Sequence, residues 1–136
     1  MSVPKSQRPK SKIEFVIRSR ELLIYTINKS KNLEKSLTFF GKTALYEAAR
    51  KVNEDVVRAN SIFPNCRADV QARAAHLRDA RAGLYYLIQQ IGIMEEISSK
   101  LSHRSASYWA GLCYEEISLV TAVMKSDAKR FKNIVN

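Results

Sequence analysis

Apolar residues return every three or four positions along most of this chain, the interval at which an α-helix brings side chains to one face. Ile13, Val16, Ile17, Leu23, Ile24 and Ile27 make the first such face, and the polar stretch from Asn28 to Lys35 ends it. A second helix is expected from about Thr38, with Ser36 or Thr38 as its cap, because Ala44, Leu45, Ala48, Val52, Val56, Ala59 and Ile62 keep the same interval. Pro64 cannot continue a helix and Asn65 favours a turn, so the second and third helices should meet in a tight connection. The third carries Val70, Ala74, Leu77, Leu84, Ile88 and Ile91, flanked by Ala80 and Leu87, until Gly92 weakens it. The fourth starts between Ser102 and Ser107 and runs through Trp109, Cys113, Ile117, Val120, Met124, Ala128 and Phe131.

Four amphipathic helices joined by short loops pack most economically as an all-α, antiparallel up-down-up-down four-helix bundle, here over residues 13–136. A chain of 136 residues suits one core, and 4 Gly and 3 Pro are too few to supply the turns of a β sandwich or barrel. Phe15, Leu22, Leu112 and Leu119 fall off the main stripes and would leave apolar patches on a lone bundle, which oligomerisation would cover. Residues 1–12, MSVPKSQRPKSK, break the pattern. Lys5, Arg8, Lys10 and Lys12 with two prolines have the composition of a disordered basic arm. That segment lacks the apolar core of a secretion signal, and no apolar run is long enough to span a bilayer, so a cytoplasmic protein without a membrane partner is expected.

Candidate chemistry is sparse. His76 and His103 lack ExxH or HxxxH spacing, and Cys66 and Cys113 lack a CxxC or a Cys/His cluster, so neither a metal nor another cofactor is expected. Cys113 reads as core filler. Glu95-Glu96 and Glu115-Glu116 are adjacent pairs whose side chains diverge by about 100° on a helix, so neither pair converges on a substrate and both read as solvated or helix-end charges. There is no GxxxxGK[ST] or GxGxxG loop for phosphates. A non-enzymatic protein is expected.

Charge changes the picture. With 23 Lys and Arg against 13 Asp and Glu, the chain carries a formal +10, which favours a polyanionic partner. Arg67, Gln71, Arg78 and Arg81 share one side of the third helix, Arg73 lies toward its opposite flank, and Arg50, Lys51 and Arg58 add positive charge on the second. These cations are the candidate nucleic-acid contacts, since guanidinium forks bind two phosphate oxygens and phosphate neutralisation releases counterions. Glu54, Asp55, Asp69 and Asp79 are interspersed, which is also the pattern of a solvated, ion-paired face. Arg81 stands where the apolar stripe calls for an apolar residue, as does Glu116 on the fourth helix, suggesting a half-buried Arg81 bridged to Glu116. Tyr85, Tyr86, Tyr108 and Trp109 could stack on bases but at helical spacing read first as packing residues.

The segments LLIYTINKSKN from Leu22, DVVRAN from Asp55, RADVQARA from Arg67, SYWAGLCYEEI from Ser107 and MKSDAKR from Met124 resemble the Avd-like four-helix-bundle proteins. These are the accessory variability determinants of diversity-generating retroelements, related to proteins encoded in intervening sequences of large-subunit rRNA. The likeness spans roughly Leu22 to Lys132, and none of its pieces is a catalytic signature. It implies a basic homopentamer that binds the retroelement reverse transcriptase and its template RNA or cDNA in support of mutagenic retrohoming. An rRNA intervening-sequence bundle without a polymerase partner, and a purely structural helical oligomer, are the alternatives.

Overall fold

Helices form where the periodicity predicts them, with boundaries moved by local chemistry. The computed structural model describes residues 8–135. Four long helices, α1 (Arg8–Lys31), α2 (Thr43–Ser61), α3 (Arg67–Ile97) and α4 (His103–Arg130), are followed by a short α5 (Lys132–Val135), and no strand occurs among the described residues. α1 starts ahead of Ile13, so the last residues of the expected basic arm are helical, and residues 1–7 of that arm lie outside the described residues. No helix among the described residues is long and apolar enough to cross a membrane.

The helix ends follow from capping and close packing. Ser102 caps α4 by accepting the Ser105 backbone N–H at 3.1 Å. Neither Ser36 nor Thr38 caps α2; the chain instead passes through a 3₁₀ turn, Lys35–Leu37, and a π turn, Thr38–Lys42. Gly41 lies buried in that π turn, where an added Cβ would collide with the end of the Met94 side chain. Glu34 ties this connection to the one between α3 and α4, accepting from Ser98 Oγ, Ser99 Oγ and the Lys100 backbone N–H at 3.0–3.1 Å. Partial burial opposes ionisation of Glu34, but these donors outweigh it and hold its carboxyl below the usual range. Gly92 does not end α3, which continues to Ile97.

Each long helix packs on the next and α1 also packs on α4, enclosing one core. Leu45, Val52 and Val56 of α2, Leu77, Leu84, Leu87 and Ile91 of α3, and Trp109 and Val120 of α4 are buried, each large side chain contributing about 1.5–3 kcal/mol. α1 turns a different face inward from the one its periodicity suggests. Phe15, Ser19, Leu22, Thr26 and Ser30 are buried, whereas Ile13, Ile17 and Ile24 are exposed. Phe15 and Leu22 fill the core on this face, and α2 and α4 supply partners for two of its three hydroxyls, while Ser30 Oγ has none. Ser19 accepts from Asn53 Nδ2 at 3.1 Å, and Thr26 accepts from Trp109 Nε1 at 3.1 Å. Phe15 and Leu22 therefore belong to the core and Leu112 and Leu119 pack against it, so none of these four forms an outward patch.

Candidate nucleic-acid interface

The cations of α2 are engaged by carboxylates of their own helix. Arg50 meets Glu47 at 3.2 Å, Lys51 meets Asp55 at 2.9 Å and Glu54 at 3.9 Å, and Arg58 meets Glu54 at 3.3 Å. The exposed pairs of Arg50 and Arg58 add only a few tenths of a kcal/mol each, yet all these pairs offset the local field a phosphate would feel. Asp55 is itself buried and also receives His76 Nδ1 at 3.2 Å.

Arg73, expected on the surface, is buried. Its Nε and one terminal nitrogen form a fork on Asp127 of α4 at 2.6 and 3.2 Å, and the other terminal nitrogen donates to the Ala59 carbonyl at 2.9 Å. Each of its three donor nitrogens already has an internal acceptor and the side chain is buried, so Arg73 is a clasp between α2, α3 and α4 and not a surface contact. It stands at the wall of a cleft of about 660 Å³ that also takes in Phe15, Phe63, Arg130 and Phe131.

The remaining candidates come together along the outer edge where α3 meets α4. Arg67 and Arg78 are exposed and lie eleven residues, or three turns, apart on one flank of α3; Arg81 follows one turn on and is half-buried. Arg81 donates to Thr121 Oγ1 of α4 at 3.4 Å, and Arg78 lines a shallow depression with Met124 and Ala128. These contacts mark the register in which the two helices pack. With it, exposed Lys125, four residues beyond Thr121, and Lys129, four further on, join the same edge. No ion pair among the described residues engages Arg67, Arg78, Arg81, Lys125 or Lys129. Asp127, the acidic neighbour of this edge, is already engaged by Arg73 and by Arg130 at 3.1 Å.

Aromatic side chains border the same edge. Tyr85, one turn after Arg81 on α3, is 54% exposed, and Tyr114, two turns before Thr121 on α4, is 53% exposed. Tyr86 and Tyr108 are also more than half exposed, so of the four aromatics expected to pack only Trp109 is buried. Lys125, Lys129 and Tyr114 were not among the sequence candidates. Their signal is a spacing of four, eight and seven from Thr121, which becomes readable once Arg81 is seen to meet Thr121.

The expected Arg81 to Glu116 bridge is absent, because the two residues face different neighbours. Arg81 points to the outer edge with Thr121, whereas Glu116 is fully buried, with the charges of Arg18 and Glu14 on α1 acting on it. Neither Glu116 oxygen has a hydrogen-bond partner, and burial pushes its carboxyl up to about 9. Glu116 is thus neither a solvated nor a helix-end charge. Burial likewise pushes the Cys113 thiol up to about 12, as expected of core filler. His103 Nδ1 lies 2.6 Å from Glu95, and among the described residues no three His, Cys, Asp or Glu side chains gather as a metal site. No family model, curated protein or solved structure matches the chain.

Proposed function

We propose that this chain is a non-enzymatic accessory subunit that binds nucleic acid through the α3–α4 edge. In the setting implied by the Avd-like resemblance, it holds template RNA or cDNA beside the reverse transcriptase of a diversity-generating retroelement. The polymerase supplies the chemistry, and the accessory protein acts in the cytoplasm as an antiparallel bundle assembled into a homopentamer. The observation that carries the reading is the row of Arg67, Arg78, Arg81, Lys125 and Lys129 on adjoining helices, unpaired with carboxylates among the described residues. The opposite sequence sense of Arg73 to Asp127 and Arg81 to Thr121 across α3 and α4, and of Arg18 to Glu115 and Thr26 to Trp109 across α1 and α4, supports antiparallel packing of these two pairs.

Replacing Arg67, Arg78 and Arg81 together with Glu tests the reading. Circular dichroism should be unchanged while RNA and DNA affinity is lost. The slope of log affinity against log salt for the wild type should exceed that of any residual binding by about 2, three phosphate contacts at roughly 0.7 each on a single strand. Unchanged affinity would move the site off this edge. The carboxylate-paired cations of α2 favour a second reading, a structural oligomer whose charge serves solubility, for which wild-type affinity would be weak and flat with salt. Co-purification with a neighbouring reverse transcriptase, with RNA retained, addresses the partner directly.

A further inference from the structure

We propose that the α3–α4 groove accepts a single strand in preference to a duplex, with Tyr85 and Tyr114 as stacking faces for unpaired bases. The inference rests on the nucleic-acid reading above and adds the class of ligand. The contact of Arg81 with Thr121 shows the register of α3 against α4. From that contact, Tyr85 lies one turn along α3 and Tyr114 two turns along α4 in the same direction, so the two rings border opposite sides of one groove. Each ring is more than half exposed, and neither makes an aromatic contact or a hydroxyl hydrogen bond among the described residues. Their faces are open to a ligand.

Rigid helices carrying open rings next to guanidinium groups match the needs of an unpaired strand. Phosphates lie on the cations while bases stack on the rings, an arrangement tolerant of sequence because every base has a π face. A duplex hides those faces inside its own stack and is read by an element that protrudes into a groove, whereas α3 and α4 lie side by side and present only their flanks. The charge pattern also bounds the site. About 27 Å separates Arg67 from Tyr85 along α3, and exposed Glu96, eleven residues beyond Tyr85, returns to the same flank with negative charge. A phosphate chain is therefore drawn along the cationic part of the groove and turned away past the tyrosines. Tyr86 is as exposed as Tyr85 but points about 100° away from this flank.

The test is fluorescence anisotropy on the full chain. The probes are a labelled single strand of roughly 15 nucleotides, as RNA and as DNA, and the corresponding blunt duplex. Tyr85→Leu with Tyr114→Leu should weaken both single strands alike by about ten-fold or more, and change duplex affinity less than about two-fold. Tyr85→Phe with Tyr114→Phe should retain the wild-type preference, and Tyr86→Leu should have no effect. Equal loss on single strand and duplex, or no loss, would overturn the stacking assignment. If the Arg67, Arg78 and Arg81 reversal still abolishes binding in that case, the basic-edge reading stands without it. A wild type that binds none of the three probes overturns both.

Discussion

Glu116 and Arg73 are both charged residues that the fold takes inside, and their surroundings treat them in opposite ways. Arg73 has a carboxylate and a carbonyl arranged around its planar donors, while Glu116 has no hydrogen-bond partner for either oxygen. Burial raises the Glu116 carboxyl to about 9; the Arg18 charge works against this and the Glu14 charge with it. In the unfolded chain the same group ionises near its ordinary 4.5. Between those values the unfolded state gives up a proton that the folded state keeps, so stability falls as pH rises from about 4.5 to about 9 and then levels off. At pH 7 the loss is on the order of 3 kcal/mol. Glu116→Gln abolishes the titration but leaves a buried amide, so a gain of about 1–3 kcal/mol is expected at pH 8 and little change at pH 4.5. Urea denaturation at the two pH values checks this. An effect of the same size at both would mean that ionisation of Glu116 does not govern stability.

At the scale of elements, α3 offers the cleanest substitution. Gly92 sits on the exposed side of an unbroken helix, and a Cβ there would meet nothing within 4 Å. Gly92→Ala should therefore stabilise by about 0.5–1 kcal/mol through reduced freedom of the unfolded chain, read as a rise in the denaturation midpoint; a fall would indicate unseen crowding on that face. The faces of α2, α3 and α4 were legible from sequence because most apolar residues there recur on one side and most charges on the other, with one buried exception on each: Asp55, Arg73 and Glu116. α1 was not legible, since Phe15 and Leu22 lie on one face while Ile13, Ile17 and Ile24 lie on another. Which face turns inward depends on Asn53 and Trp109, partners 34 and 83 residues away. The candidate site divides in the same manner. Arg67 and Arg78 could be placed from the helical repeat alone. The removal of Arg73 depends on Asp127, 54 residues distant, and the addition of Lys125 and Tyr114 depends on the register of α3 against α4.

At the scale of the whole molecule, the outward face of α1 poses the question of assembly. Ile13, Ile17 and Ile24 recur on the side opposite the buried Phe15, Leu22 and Thr26, interrupted by Arg20, and each is about two-fifths exposed. A row of β-branched apolar side chains costs free energy in water, and contact with a second copy removes it while leaving the α3–α4 groove open. Light scattering should accordingly report a multimer, a pentamer if the Avd-like resemblance holds. Ile17→Glu with Ile24→Glu should reduce the mass toward one chain without loss of helicity, because neither side chain contributes to the core. Several grooves on one particle also bind a long strand at high effective concentration, so the dispersed variant should lose at least ten-fold in affinity for a long RNA, and about none for one short enough to fill a single groove. A wild type that scatters as a monomer would remove α1 as an interface. A dispersed variant that still binds long RNA at full strength would show that the groove acts alone.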